Sequence, residues 1–226
     1  MNKIFLHNFA LTKLLNNNVN INIMVESTED KILAAAEKEF LQKGFAAART
    51  TSIAKEAGVT HAMLHYYFRT KEKLFERIIG NKMSLLGELM MDSLANSELP
   101  LFAKIENAII KHLDFVSANP DLPIFFIREV YSSPDNMKLV SEKLAENAWV
   151  SVAKLQAELD KAVEKGECRK VNAEMLLLDI VSLNIFSFVA QPVVETVFPD
   201  LFSNKELFLE QRKRENIETI MRKLKI

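Results

Sequence analysis

The spacing of apolar residues predicts α-helix along most of the chain. In the first clear element, Ile32, Leu33, Ala36 and Phe40 recur at intervals of three and four, as on one face of a helix. No segment shows a convincing strand-like alternation, and no internal repeat is found. The pattern predicts about nine helices, near 27–44, 50–57, 60–67, 70–96, 101–118, 122–132, 136–165, 172–191 and 205–224. Short helices followed by long ones indicate an all-α fold, with a small N-terminal module on a larger helical bundle.

Residues that favour helix ends mark the first boundaries. Ser27 and Thr28 are good N-caps, and Gly44 ends the first helix as a left-handed glycine does. Gly58 breaks the second helix, and Thr60 can cap the third. We therefore divide the chain into an N-terminal tail at 1–26, a module at 27–80 and a helical body at 81–226.

The tail differs in composition from the rest of the chain. Its only charges up to residue 23 are Lys3 and Lys13, and residues 16–20 are rich in Asn. A signal peptide is one interpretation, but His7 interrupts the apolar run and no Ala-x-Ala cleavage site follows. We favour a disordered tail, or a segment upstream of a true start at Met24.

A second apolar run, at 175–194, is long enough to span a bilayer. Asp179, Asn184 and Gln191 lie inside it, and a charge at the centre of a membrane helix is costly. A helix buried in protein on most sides explains the run better. We expect no membrane partner and a cytoplasmic location.

Composition and charge narrow the function. The 226 residues are 49% hydrophobic, enough to bury a core without disulfides. The lone cysteine, Cys168, excludes an intramolecular disulfide framework and a multi-cysteine zinc site. The net charge is −1, yet residues 43–77 hold seven basic and three acidic residues, which is +4 and leaves −5 for the remainder. Any nucleic-acid-binding patch is therefore local and falls in the module.

Residues 50–68 have the layout of a helix-turn-helix. Gly58 can take the positive φ of the tight turn, and Val59 and Leu64 can fill the space beneath it. The second helix would enter the major groove with its N-terminal residues at the base edges, while flanking donors hold phosphates. The predicted DNA-binding residues are Arg49, Thr50, Thr51, Thr60, His61, Ala62, Met63, His65, Tyr66, Tyr67 and Lys71.

Within this set, His61, Ala62 and Met63 are the predicted base-reading residues. Thr50, Thr51 and Lys71 are predicted phosphate contacts. For Tyr66 and Tyr67, phosphate contact and core packing both stay open. His61 and His65 are four residues apart and could bind a metal, but their short helix offers no further ligand. We therefore predict no metal and no cofactor.

The chain resembles the TetR family of bacterial transcriptional regulators from Thr28 to Ile79. The resemblance rests on motifs in one order: Phe40 with Gly44-Phe45, Ile53-Ala54-x-x-Ala57-Gly58-Val59, Leu64-His65-Tyr66-Tyr67-Phe68 and Lys71-x-x-Leu74-Phe75. His65 stands where the family often has Tyr, Ala62 where Gly is common and His61 where Lys is frequent. The resemblance implies a homodimer on a palindromic double-stranded DNA operator, with the body supplying dimerisation and an effector pocket.

The body offers material for both of those roles. An apolar pocket would be lined by Phe115, Phe125, Phe126, Trp149 and Phe188, although each of these could simply fill the core. The helix at 172–191 is apolar on most faces and needs a cover beyond its own core. Pairing with the last helix in a four-helix bundle would provide it. The predicted dimer contacts are Leu177, Val181, Ile185, Ile217 and Met221.

The leading hypothesis is a transcriptional repressor that a small apolar effector releases from its operator. One alternative keeps the DNA-binding module in a nucleoid-associated or structural protein. An all-α enzyme is a further alternative, but the chain has no glycine-rich phosphate loop and no metal-ligand cluster. We therefore predict that the protein is not an enzyme.

Overall fold

The computed structural model describes residues 27–95 and 98–226, so the predicted tail at 1–26 lies wholly outside the described residues. The described residues form ten α-helices and one 3-10 helix, and they contain no strand, which confirms the all-α prediction. The helices are α1 (Thr28–Ala47), α2 (Thr50–Glu56), α3 (His61–Phe68), α4 (Lys71–Ala95), α5 (Leu101–Ala118), α6 (Leu122–Ser132), α7 (Pro134–Glu164), α8 (Ala173–Val189), α9 (Gln191–Val197) and α10 (Lys205–Leu224), with the 3-10 helix at Pro199–Phe202.

Two helices differ from the sequence prediction. Gly44 does leave helical geometry, with φ 75° and ψ 167°, but α1 resumes after this kink and runs to Ala47. The predicted helix at 172–191 ends at Val189, and a separate helix, α9, follows at an angle of 62°. Pro192 lies in the first turn of α9, where its missing N–H does no harm, whereas inside a continuous helix it would remove a hydrogen bond.

Side-chain caps fix where several helices begin. Ser27 and Asp30 form a reciprocal capping box at the start of α1. Thr60 accepts a hydrogen bond from the backbone N–H of Met63 at 3.2 Å, as predicted for the start of α3. Asn172 and Asn204 cap α8 and α10 in the same way. These caps satisfy backbone N–H groups in the first turns of the four helices.

Two apolar cores hold the helices together. The first joins α1 to α4 with parts of α5 and α6 through residues such as Ile32, Phe40, Leu74 and Phe125. The second lies between α5, α7, α8 and α10 and includes Leu159, Leu176 and Ile220. The predicted boundary at residues 80 and 81 falls inside α4, whose side chains belong to both the module and the body. The module is therefore fixed to the body by a shared helix and a shared core.

A chain of buried polar side chains crosses the bundle. The amide nitrogen of Asn184 on α8 donates to the carbonyl of Ile109 and to Nδ1 of His112 on α5, both at 3.0 Å. Asn216 on α10 donates to Asn184, and Arg212 donates to Asn216. Because His112 is buried, its pKa falls to about 4, so the ring is neutral at pH 7 and can accept this bond. The chain fixes α5, α8 and α10 in one register.

The apolar run at 175–194 forms α8 and part of α9. No single helix among the described residues is long and apolar enough to cross a membrane. The bent pair of α8 and α9 passes that test only when the two are counted together, by length and composition.

Candidate nucleic-acid interface

The turn between α2 and α3 has the geometry that the sequence predicts. Gly58 has φ 67°, and the backbone N–H of Val59 bonds the carbonyl of Ala54 at 3.0 Å. Ile53 and Leu64 are buried beneath the turn. The outer face of α3 stays exposed, and Tyr66 keeps 76% of its surface accessible. A short exposed helix on a buried turn is the arrangement that a groove-binding helix requires.

A cleft of about 480 Å³ separates the start of α2 from α3. It is lined by Ala48, Arg49, Thr50, Thr51, His61, Leu64, His65, Arg69, Thr70 and Lys71. Six of the predicted DNA-binding residues are in this set, and none of the ten lining residues is acidic. The lining combines hydroxyl, imidazole and cationic groups, which suits a polyanion. Of the other predicted contacts, Thr60, Ala62, Met63, Tyr66 and Tyr67 are all exposed on or beside α3.

Thr50 and His61 are joined across this cleft. The hydroxyl of Thr50 lies 3.0 Å from Nε2 of His61. Thr50 is half-buried at the start of α2, whereas His61 is the first residue of α3 and is exposed. The bond therefore links a predicted phosphate contact to a predicted base-reading residue.

Lys71 has a different environment from the predicted one. Its ammonium nitrogen lies 2.8 Å from the carbonyl oxygen of Phe45, 3.4 Å from that of Ala46 and 3.2 Å from that of Ala48. It also lies 4.5 Å from the centre of the Phe45 ring. Lys71 stays a predicted phosphate contact, but all three of its ammonium hydrogens have carbonyl partners at the end of α1. A phosphate would have to share these donors.

Glu39 anchors the start of α2 from α1. Its carboxylate accepts hydrogen bonds from Lys43 and from the backbone N–H of Arg49, the residue that precedes α2. Partial burial opposes ionisation of Glu39, but the hydrogen bonds outweigh it and lower the pKa of the carboxyl group. Glu39 therefore stays ionised at neutral pH and holds Arg49 and the following Thr50 in place.

The structure reduces the number of basic side chains available to DNA. Of the seven in residues 43–77, Lys43, Lys73 and Arg77 form ion pairs with carboxylates of the module. Lys55 and Arg69 make no ion pair within the described part of the chain, and both are exposed. The usable charge is therefore concentrated near the cleft rather than spread over the module.

Arg69 is a lining residue that sequence reasoning missed. It lies between α3 and α4 with φ 57° and ψ −56°, the only positive φ at a non-glycine residue in the described chain. Such backbone geometry is strained, and it persists only where the surroundings impose it. Its charge next to the end of α3 was the available signal. Phe68, just before it, is buried as predicted, while Tyr66 and Tyr67 are exposed, which favours surface contact over core packing for both.

The predicted pocket residues mostly lie in the cores. The ring of Phe125 lies tilted against that of Phe75, with 5.9 Å between ring centres, and so packs α6 against α4. Phe115 and Phe188 are buried in the same core, and Phe126 is half-buried against it. The side chain of Trp149 lies outside the described residues, and neither of the two described clefts contains any of these five. Phe125 stays a predicted pocket residue, and in the structure its buried ring joins α6 to α4.

The predicted dimer contacts face inward more than outward. Met221 is buried, and Leu177, Val181, Ile185 and Ile217 are half-buried, mostly against their own cores. The exposed apolar side chains of α8 are Met175, Leu178 and Phe186, and Phe186 is 69% accessible. These exposed side chains of α8 are not among the predicted dimer contacts, which stay a prediction.

Comparison with known proteins agrees with this geometry. Residues 32–78 match the family model described as bacterial regulatory proteins of the tetR family. The stearoyl-CoA complex of the transcriptional regulator FadR from Bacillus subtilis has the same fold, with a TM-score of 0.63 and 18% identity over 84% of this chain and 96% of that one. Residues 32–78 of the chain are thus similar to the tetR family of bacterial regulatory proteins.

Two relatives match part of the chain by sequence. The HTH-type transcriptional repressor NicS of Pseudomonas putida is 35% identical over 99 residues, which is 41% of this chain and 46% of NicS. The nucleoid occlusion factor SlmA of Pasteurella multocida is 35% identical over 81 residues, 36% of this chain and 40% of SlmA. The chain spans less than half the length of both relatives, so their similarity does not extend to the whole body.

Proposed function

We propose that this protein is a transcriptional regulator of the TetR family that binds double-stranded DNA through α3. The observation that carries the proposal is the cleft between α2 and α3, which is lined by hydroxyl, imidazole and cationic groups and by no carboxylate. The exposed face of α3 supplies His61, Ala62 and Met63 for the base edges. Thr51 and Tyr67 lie where they can hold phosphates.

The proposed regulator acts as a homodimer on a palindromic operator. Met175, Leu178 and Phe186 are spaced along one exposed face of α8, and Val193 and Val197 extend the apolar surface onto α9. A second copy of the chain can cover this surface by a twofold contact, in which the same patch serves both subunits. Such symmetry places two α3 helices on two half-sites related by a twofold axis.

A small apolar effector that binds in the body is the proposed signal for release. Two observations support this: NicS is named a repressor, and FadR, with the same fold, was solved with stearoyl-CoA. The effector must prefer the form that cannot bind DNA, and a preference of about 3 kcal/mol would weaken the operator complex about 150-fold. Operator DNA must then weaken effector binding by the same factor. Equal effector affinities with and without operator would rule out regulation by that compound.

A genome-wide map of bound DNA tests the function. A regulator in the cytoplasm should occupy a few promoter sites, and a variant with Ala62 and Met63 both changed to Glu should lose them. The second candidate, a nucleoid-associated protein, is favoured by the match to SlmA and predicts many scattered sites. No enrichment over the variant at any site would contradict both. The relatives are named a transcriptional repressor and a nucleoid occlusion factor, and we propose no catalytic activity for this chain.

A further inference from the structure

The hydrogen bond between Thr50 and His61 connects a predicted phosphate contact to a predicted base-reading residue. Thr50 is at the start of α2, beside the predicted path of the phosphate backbone, and His61 is the first residue of α3. Their side chains meet at 3.0 Å. Nδ1, the second ring nitrogen of His61, has no hydrogen-bond partner among the described residues.

We propose that Thr50 and His61 act as one unit that selects a base with an exposed amino group. This inference rests on the proposed DNA-binding function and adds the chemistry that one position of the operator must have. Thr50 would be the positioning residue, and His61 would be the residue that determines specificity.

The hydrogens on the Thr50 hydroxyl and the His61 ring determine which groups donate and which accept. A threonine hydroxyl has one hydrogen to donate and can accept at the same time. When that hydrogen goes to a phosphate oxygen, the hydroxyl can only accept from His61, so Nε2 of His61 must carry the ring proton. Nδ1 of the neutral ring is then an acceptor. In the major groove, the donors that an acceptor can select are the N6 amino group of adenine and the N4 amino group of cytosine.

In this unit, the phosphate contact of Thr50 also influences which base His61 selects. Without the hydroxyl of Thr50, the imidazole could rotate, or it could carry its proton on Nδ1 and donate to guanine or thymine instead. The neighbouring residue, Thr51, has the same side chain one position later and is exposed, and no hydrogen bond to a histidine is found for it in the described chain. Thr51 is therefore a matched control.

Competition binding tests the proposal with the full-length protein. A selected operator and its variants, with each base pair of one half-site changed in turn, would be measured against wild type, Thr50→Val and Thr51→Val. At the single position where adenine or cytosine is preferred, Thr50→Val should reduce the affinity ratio between the preferred base and the other bases about tenfold. Thr51→Val should weaken all duplexes equally. Thr50→Ser, which keeps the hydroxyl, should retain the wild-type preference.

The double variant separates coupling from independent damage. If the two residues form one unit, Thr50→Val combined with His61→Ala should discriminate no worse than His61→Ala alone. Additive losses, an equal effect of Thr50→Val and Thr51→Val, or a preference for guanine or thymine would overturn the proposal. A wild-type protein with no preference for any duplex would instead contradict the proposed function itself.

Discussion

Lys71 is a residue whose charge serves the fold of the DNA-binding module. The ammonium group caps α1 through the carbonyl oxygens of Phe45, Ala46 and Ala48, and it also faces the ring of Phe45. A cation at the C-terminal end of a helix is favoured by the helix dipole as well as by these hydrogen bonds. Lys71 thereby holds the end of α1 to the start of α4.

The main effect of replacing Lys71 by Met should therefore be a lower free energy of unfolding, and any effect on DNA binding should be secondary. A partly buried hydrogen bond from a charged group contributes about 1.5–3 kcal/mol, and Met keeps most of the apolar stem. Urea unfolding of Lys71→Met should show a loss in this range. Lys73→Met is the control, because Lys73 only forms an exposed pair with Glu76 and should change stability by less than about 1 kcal/mol. Equal effects of the two variants would refute the capping role.

His112 should make the stability of the protein depend on pH. Its pKa is about 4 in the folded state because of burial, against 6.5 for an ordinary histidine. The unfolded chain therefore takes up the proton first, so the stabilisation is complete above 6.5 and is lost as the pH falls towards 4. The slope can reach about 1.4 kcal/mol per pH unit.

The variant His112→Gln has no ring to titrate. The gap in free energy of unfolding between wild type and His112→Gln should therefore shrink as the pH falls from about 7.5 to about 5. Urea unfolding at both pH values measures the gap directly. A gap that stays constant would mean that His112 is not the group responsible.

At the scale of helices, the contact between α1 and α6 attaches the module to the body. Arg128 on α6 donates to the carbonyl oxygens of Phe40 and Leu41 at 3.2 and 3.3 Å and pairs with Glu129 at 3.1 Å. Gly44, at the kink of α1, faces this pair so closely that a Cβ there would lie 2.9 Å from Oε1 of Glu129. Only glycine combines the required backbone with this close approach.

Gly44→Ala should be destabilising for both reasons. The φ of 75° costs an alanine about 1–3 kcal/mol, and Glu129 must also move. Gly87→Ala is the control, because Gly87 lies inside α4 with nothing within 4 Å of the added carbon. That change should raise stability by about 0.5–1 kcal/mol. Thermal unfolding distinguishes the two, and a stable Gly44→Ala variant would show that α1 does not need this kink.

Local signals predicted the helices and the helix-turn-helix well, because caps, glycines and apolar spacing act within a few residues. Gly58, Thr60 and Phe68 have the predicted roles. The contact of Arg128 with α1 joins residues 87 and 88 positions apart, so no local pattern could reveal it. The bend before α9 was missed because the apolar run continues across Pro192.

The exposed apolar side chains of α8 differ from the predicted dimer contacts for a related reason. A helix with apolar residues on most sides has no polar stripe to fix which side meets its own core. The structure assigns Leu176 and Ile180 to that core and leaves Leu178 and Phe186 outside. Packing against residues that are distant in the sequence therefore determines which side of α8 is buried. The spacing of its apolar residues does not.

At the scale of the whole molecule, Phe186→Asp should prevent dimerisation. A charge in the centre of an apolar twofold contact is introduced twice, once from each subunit, and is left without a partner. Sedimentation at micromolar concentration should give a dimer for wild type and a monomer for the variant. Tyr131→Asp on α6, where Tyr131 is 84% exposed, is the control and should leave the dimer intact. Dimers of both variants would place the interface elsewhere.

The claim that this protein binds a specific palindromic DNA sequence as a dimer can be tested by selection from a random library of duplexes. This selection reports sequence preference and symmetry together. A dimer that presents two α3 helices should enrich an inverted repeat, with half-site centres about one helical turn or a multiple of it apart. The enriched sequence should depend on His61, Ala62 and Met63. Enrichment of no sequence, or of a single half-site without its inverted copy, would contradict the account.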